Sequence, residues 1–475
     1  MRQTPVAPLS ATPPLTRSER LDRLPFTPRH RALLVGSGVG WALDAMDVGL
    51  ISFVIAALKD QWELSAGQLS WIASAGFIGM AVGAGVGGLL ADRIGRRQVF
   101  ALTLLVYGVA TGASALAWSV GSLIALRVVV GLGLGAELPV ASTLVSEFAP
   151  ARIRGRVVVA LEAFWAVGWV LAALIGYLVV PSSDDGWRWA LALGAAPAVY
   201  AVVVRRSLPE SVRFLERRGR SEEAEAAVRE FERSAGSGSR LPAAPALPAP
   251  PATAGVAADG VPDDGTDGPA GSLGPAGPAG PAALWAAPMR RRTAAAWLVW
   301  FFVNFSYYGA FIWLPSILVA SGFTMVRSFE YTLVITLAQL PGYATAAFLI
   351  EVWGRRATLA TFLAGSAVSA GLFGIASGSV AVVGAGMLLS FFNLGAWGAL
   401  YAVTPEIYPT ALRGTGAGWA AGFGRIASIV APLTVPPLLA LGGRPLTFAA
   451  FAAAFVVAGG ASLALPELRG RVLAE

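Results

Sequence analysis

Apolar runs of about twenty residues recur along almost the whole chain. At 1.5 Å of rise per helical residue, a run of that length matches the ~30 Å hydrocarbon layer of a bilayer. Backbone amides inside hydrocarbon must be satisfied within their own segment, so such runs read as membrane helices. The apolar/polar alternation of membrane strands is absent. Approximate spans fall at 32–57, 69–91, 98–118, 120–143, 156–180 and 188–204, then at 293–321, 329–351, 357–376, 379–403, 412–440 and 444–465. With 56% hydrophobic and 13% charged residues, the 475-residue length does not translate into a count of soluble domains.

The loops between these runs repeat. Asp92, Gly95, Arg96 and Arg97 have counterparts 259 residues later in Glu351, Gly354, Arg355 and Arg356. Glu147, Pro150, Arg154 and Gly155 return at the same offset as Glu406, Pro409, Arg413 and Gly414. Two motifs sharing one offset indicate a chain of two halves copied from one design. The expected fold is therefore all-α: twelve membrane helices in two six-helix bundles. The expected boundaries are a tail over 1–31, a bundle over 32–204, a loop and linker over 205–292, a second bundle over 293–466 and a tail over 467–475.

Basic residues set the orientation. Arg17, Arg20, Arg23, Arg29 and Arg31 precede span 1; Arg93, Arg96 and Arg97 follow span 2; Arg152, Arg154 and Arg156 follow span 4; Arg205 and Arg206 follow span 6. The alternate loops carry Lys59, Asp60 and Glu63, or Asp184, Asp185 and Arg188, with no basic excess. The positive-inside rule then makes both termini and the central loop cytoplasmic, in the cell's inner (plasma) membrane. Residues 1–30 lack the short apolar core of a cleaved signal. In the central loop, Ser221-Glu-Glu-Ala reads as an N-cap with an acidic first turn, opening an amphipathic helix through Phe231. From Ser234 to Pro288 the chain is nearly all Ala, Pro, Gly and Asp, the composition of a disordered linker.

The chain has no Cys, which excludes disulfides, zinc thiolates and cysteine nucleophiles. Its one His, His30, falls in the tail ahead of span 1, so no His-based triad or metal site is expected in the membrane. The net charge of +7 sits in interspan loops, where topology accounts for it and nucleic acid is not expected as a partner. No metal or cofactor is expected. The expected partners are the lipid bilayer, a small-molecule substrate and protons, with the chain a monomer.

Two six-helix halves, the loop Gly88-x-x-x-Asp92-Arg93-x-Gly95-Arg96-Arg97 and its weaker copy resemble the major facilitator superfamily of transporters. Arg127-x-x-x-Gly131-x-Gly133-x-Gly135 with Pro139 in span 4, and Pro209-Glu-Ser-Val-Arg213 after span 6, are similar to its sugar-porter and organic-ion branch. Val212 stands where that branch usually has Pro. The stretches Asp44-Ala-Met-Asp47, Glu137 to Glu147, Phe164 to Trp169 and Phe391 to Gly398 resemble the bacterial niacin-permease group. The resemblance implies two bundles rocking about a midplane site, hence alternating access, and a non-enzymatic role.

Ionisable residues inside a bilayer are functional candidates by default. Span 1 contributes Asp44 and Asp47, about 60° apart on one helix face, and span 4 contributes Arg127 and Glu137. Asp47 and Arg127 lie at depths that allow pairing, and Glu162 in span 5 can approach Glu137. These groups either lock helices together or carry a proton, with Asp47 or Asp44 gated by Arg127 and Glu137 as the competing carrier. The second half offers Asn304, Tyr307, Tyr308, Gln339, Asn393 and Trp397, an aromatic and amide set suited to a flat heteroaromatic ring. Trp165 in span 5 either lines the same cavity or packs. Arg425, about twelve residues into span 11 with no acid in its own span, is suited to a carboxylate. Combined with the resemblance, these residues imply a proton-coupled importer of a small aromatic monocarboxylate, nicotinate above all. Another organic acid, a sugar, drug efflux or a non-transporting sensor remain alternatives. An intramembrane aspartyl enzyme would need two facing Asp residues, and Asp44 and Asp47 share one helix. The loop residues Gly88, Asp92, Arg93, Gly95, Arg96, Arg97, Glu147 and Arg154, with Glu351, Arg355, Arg356, Glu406 and Arg413, are expected to latch the outward-open state.

Overall fold

The computed structural model describes residues 15–236, 280–287, 289–409 and 412–467. Most of the expected linker and the outermost parts of both tails lie outside these. Among the described residues every extended element is helical and there is no strand.

A short helix, α1 (Arg17–Asp22), precedes the spans, and α2 (Pro28–Gln61) begins earlier than the hydropathy alone suggests. Thr27 caps α2, with Pro28 preset for the first turn. His30 therefore lies inside α2 and not in a free tail, which corrects the sequence reading. Its Nδ1 accepts the Thr27 N–H at 3.1 Å, and its Nε2 lies 3.0 Å from the Phe148 carbonyl. A carbonyl only accepts, so these two contacts fix the neutral Nε2–H tautomer.

The first half continues with α3 (Ala66–Ile94), α4 (Arg96–Ser114), α5 (Val120–Phe148), α6 (Arg154–Leu178), α7 (Gly186–Leu193) and α8 (Ala196–Ser207). The expected single sixth span is broken between α7 and α8, where Pro197 enters at the start of α8 and leaves the preceding turn without an N–H partner. Two amphipathic helices follow, α9 (Val212–Arg217) and α10 (Ser221–Ser234). Ser221 is the first helical residue of α10 and does not cap it; the cap position is Arg220, whose side chain returns to Glu223 at 2.6 Å.

The second half comprises α11 (Arg290–Ala320), α12 (Met325–Leu337), α13 (Gln339–Trp353), α14 (Arg355–Ile375), α15 (Gly378–Glu406) and α16 (Arg413–Ser462). The expected eighth span is interrupted at Ala338, shortly before Pro341. The expected eleventh and twelfth spans run together as α16, which reverses at Gly442 and Gly443; both leave the helical region, Gly443 with φ +62°. Among the described residues ten segments are long and apolar enough to cross a membrane. Counting α4 and both arms of α16 gives twelve crossings, so this is a multi-pass membrane protein.

Within the first half α3 and α5 approach to backbone contact through glycines. A Cβ on Gly83 would lie 2.2 Å from the Leu132 carbonyl, and one on Gly135 2.0 Å from the Met80 carbonyl. Without a hydrophobic drive between helices in lipid, such close packing is what holds them. The halves meet along α2 with α11, α3 with α16, and α6 with α12, α13 and α15. These contacts run from the centre to the end opposite the Arg-rich loops: Ser74 donates to the Ile429 carbonyl at 2.9 Å, and Phe53 meets Phe329 edge-on at 5.1 Å. Toward the Arg-rich end, Gly85 and Gly88 on α3 and Gly418 and Gly422 on α16 have nothing within 4 Å of a built Cβ. Along the α3 and α16 seam the halves touch toward one end and stand apart toward the other.

Candidate functional site

Four helices bring charged groups to the centre. Asp47 on α2 is committed on both oxygens: Thr111 of α4 donates to Oδ1 at 2.5 Å, and Arg127 of α5 to Oδ2 at 3.0 Å. Both members of this ion pair are sealed from solvent. Asp44, one turn earlier, is fully buried and neither of its oxygens has a hydrogen-bond partner. The same holds for Glu137 on α5, which faces the Tyr107 ring from α4 and, at Gly40, the wall of α2. The sequence reading expected Asp47 and Arg127 to be able to pair, and the structure brings them together. It also places Asp44 and Glu137 near each other, with Glu137 the carboxyl that bears most on Asp44.

From sequence, Glu162 on α6 was able to approach Glu137. The structure turns it toward Arg425 of α16, whose charge bears on it most strongly. Glu162 is 1% exposed and its Oε2 has no partner. Arg425 lies against the Tyr308 hydroxyl, with Tyr401 and Asp44 its next charge-bearing neighbours. It forms no ion pair among the described residues, and its Nη1 is sealed without a partner. A guanidinium inside a span with a free donor can receive an anion.

The aromatic set forms one cluster spanning both halves. Trp165 Nε1 donates to the Tyr307 hydroxyl at 3.2 Å, and Tyr307 packs on Trp169 at 5.5 Å, Phe311 at 4.9 Å and Trp397 at 5.2 Å. Tyr308 meets Phe77 of the first half at 4.5 Å. Trp41, one turn before Asp44, lies tilted against Trp165 with ring centroids 4.9 Å apart. Asn304 has a different setting from the rest: its Nδ2 donates to Trp300 O at 2.7 Å and its Oδ1 accepts from Ser428 at 3.0 Å, which joins α11 to α16. Gln339 and Asn393 are fully buried with all side-chain polar atoms unpartnered. Such groups are costly to leave unpaired in a membrane interior, so they are the ones a polar ligand can engage.

At the Arg-rich end each half carries the same clamp. The Glu210 carboxylate accepts the backbone N–H of Arg96 at 2.8 Å, of Arg97 at 3.2 Å and of Ser211 at 2.9 Å, all on Oε1. In the second half Glu467 accepts from Arg355 and Arg356, each at 3.2 Å. These are the first-turn donors of α4 and α14, which no helix can satisfy internally. The adjoining Gly95 and Gly354 have φ +103° and +95°, a region that side chains rarely adopt. The sequence reading aligned Pro209-Glu210 with Pro466-Glu467 but did not assign these carboxylates; their role rests on contacts across 114 and 112 residues.

The other loop residues divide as follows. Asp92 accepts from Arg96 at 2.7 Å and Arg217 at 3.3 Å; the Arg93 carbonyl accepts from Arg218; Glu147 accepts from Ser211; Arg154 pairs with Asp22 at the end of α1. Arg355 pairs with Glu406 at 3.1 Å, on which Arg413 also acts. All these pairs lie within one half. Among the described residues an ion pair also crosses between the halves: Arg156 of α6 to Glu351 of α13, 3.5 Å apart and largely exposed.

The chain matches the model of the Sugar (and other) transporter family over residues 40–243 and 279–475. It belongs to this family of membrane transporters, and its fold and relatives are those of a carrier and not of an enzyme. It is 45% identical to the niacin transporter NiaP of Acinetobacter baylyi over 88% of this chain and 90% of that one. It is 46% identical, over 90% and 93% of the two chains, to a Bacillus subtilis protein whose name provisionally gives niacin or nicotinamide as its substrate. The crystal structure of a D-xylose–proton symporter superposes with a TM-score of 0.71 over 93% of this chain and 99% of the other, at 18% identity. That likeness reports the fold.

Proposed function

We propose that the protein is a proton-coupled importer of nicotinate in the plasma (inner) membrane, with the Arg-rich end and both termini cytoplasmic. The observation that carries the reading is Arg425: a guanidinium within a membrane helix, without an ion pair among the described residues, beside a Tyr and Trp cluster contributed by both halves. A planar fork binds a carboxylate through two parallel hydrogen bonds, and the rings of Tyr307, Tyr308, Trp397 and Trp165 suit the faces of a pyridine. Relatives named for niacin over nearly their whole length support the same substrate.

In this reading the structure is the inward-facing state, parted between α3 and α16 at the cytoplasmic end. Import alternates it with a state closed there and open outside, in which the loop residues from Asp92 to Arg97 and their copies act as the latch. The buried carboxyls of the first half, Asp44, Asp47 and Glu137, are the proton-carrying candidates; Asp47 is held by Arg127 and Thr111 in the present state. Counterflow of labelled nicotinate in proteoliposomes tests the substrate. We expect exchange by the native chain and its loss by about a hundredfold in Arg425→Gln, from removal of a charge-assisted pair in a dry site. Absence of exchange by the native chain would sink the reading.

A further inference from the structure

Glu162 has no place in the scheme above, yet it is sealed, it has an oxygen with no partner, and the strongest charge acting on it belongs to the proposed substrate-binding arginine. The two groups sit on opposite halves. Glu162 is three residues before Trp165, whose indole N–H reaches the Tyr307 hydroxyl of α11; Tyr308, the next residue of α11, lies against Arg425. Glu162 and Arg425 are therefore joined through one cross-half contact, one helical turn from each other's neighbours. No ion pair closes between them in this state, and each keeps an unpartnered polar atom.

Among the described residues, Arg425 is the cation that acts on Glu162. Trp41 of α2 faces it, and the hydroxyls of Tyr308 on α11, Tyr343 on α13 and Tyr401 on α15 all feel its charge. Asp44 also bears on Arg425, but its first charged neighbour is Glu137. Asp47 has a cation of its own in Arg127. Among the described carboxyls of the spans, Glu162 is thus the one whose dominant charged partner is Arg425.

We propose that Glu162 is the residue that couples the proton to the substrate, by competing with the substrate carboxylate for Arg425. This deepens the nicotinate reading and rests on it. As a carboxylate, Glu162 neutralises Arg425 and an incoming anion meets a site with no net charge to bind. A proton taken from the outside onto a Glu162 oxygen removes that competitor, and nicotinate pairs with Arg425. On the inner side nicotinate leaves, the proton leaves Glu162 to water, and the Glu162 carboxylate is again the counter-charge of Arg425. One proton and one monoanion cross together, no bond other than O–H forms or breaks, and the cycle moves no net charge. Asp44 and Glu137 then shape the field around the site and do not set the stoichiometry.

The test uses the full chain in proteoliposomes with labelled nicotinate and a pH dye inside. For the native chain we expect an inward proton gradient to drive accumulation, with one proton entering per nicotinate and no response to an imposed membrane potential. In E162Q the gradient should drive no accumulation, and whatever nicotinate exchanges should do so without protons. An E162Q chain that still accumulates nicotinate on the gradient, with proton entry, overturns the proposal. Should E162Q exchange nothing, E162D decides: it keeps the titratable group, so recovery of gradient-driven accumulation supports the proposal, and inactivity equal to E162Q assigns Glu162 to packing and overturns it. Arg425→Gln separates the two levels. If it exchanges nicotinate normally, the substrate reading fails whatever E162Q does; if it loses exchange while E162Q stays proton-driven, only the coupling role of Glu162 fails.

Discussion

The two copies of the loop after the second crossing of each half keep one function and part on another. Both end α3 or α13 on a glycine in the left-handed region, and both hand the first amides of the next helix to a glutamate from the end of the half. The acids differ. Asp92 keeps its arginines, Arg96 and Arg217, within the first half, while Glu351 reaches across to Arg156. Glu147 receives a Ser211 hydroxyl where its copy Glu406 receives the Arg355 guanidinium. The backbone cap recurs in both bundles, while the side-chain pairs around it differ, and in the second copy one of them reaches the other half.

The largest test of this comparison is at the glycines. A Cβ on Gly95 would come 2.4 Å from Glu210 Oε2, and one on Gly354 2.8 Å from the Glu467 carboxyl carbon, both at positive φ. Gly95→Ala should cost about 3 kcal/mol, from backbone strain plus a displaced carboxylate, with Gly354→Ala somewhat less. Thermal unfolding of the purified protein reads both, and two tolerated substitutions would break the idea that the caps are required. Next come the glutamates. Glu210 and Glu467 each accept the first two amides of the following helix, the shortest contact being 2.8 Å for Glu210 and 3.2 Å for Glu467, so Glu210→Ala should destabilise by about 2 kcal/mol and Glu467→Ala by somewhat less. Equal losses would mean that the copies cap equally well.

The crossing pair is a smaller effect. Arg156 and Glu351 are exposed, and a double-mutant cycle on stability should give about 0.5 kcal/mol or less. Its signature lies in the conformational balance: Glu351→Gln should alter accessibility at the cytoplasmic end, probed with cysteines placed at Gly85 and Gly418, whereas Asp92→Asn acts within its own half. The smallest effect concerns a feature that the second half lacks among its described residues. Arg17, Arg20 and Arg29 clasp Glu216, Glu225, Glu232 and Glu230 of α9 and α10. Burial pushes the Glu225 carboxyl up, but the hydrogen bond and charge of Arg20, with Arg17 and Arg229, bring it below its usual value. A lowered carboxyl stabilises the folded form above the ordinary carboxylate range, and that contribution is lost as pH falls through the lowered value. Protease cleavage near α1 should therefore quicken only in strongly acidic buffer and leave the core helices unaffected.

Much of the architecture was legible in the sequence because hydropathy and repetition are local signals. Twelve runs and a 259-residue offset suffice for two bundles. The breaks at Ala338 and ahead of Pro197, and the fusion of the last two crossings through Gly442 and Gly443, depend on how single Pro and Gly residues are accommodated by neighbours, which composition does not encode. In the site, the buried charges announced themselves by being in apolar runs. Their partners did not. Glu162 stands 263 residues from Arg425, and depth along a helix gives no azimuth, so the sequence set it beside Glu137 when its face turns to the other half. His30 misled in the opposite sense: a helix that starts four residues early turns a tail residue into a buried first-turn partner of the Thr27 cap.

The clamps also order events during synthesis. Arg96 emerges 114 residues before Glu210, and Arg355 112 residues before Glu467. The first turn of α4 is thus made long before the group that caps it, and stays open while α5 to α8 are threaded. Each half is completed by a residue after its own last crossing: the first by Glu210, well before the second half is translated, and the second by Glu467. A ribosome that stalls or a truncation that removes the final segment leaves the first bundle sealed and the second with its third helix uncapped, so damage at the C-terminus falls on the half that carries Arg425.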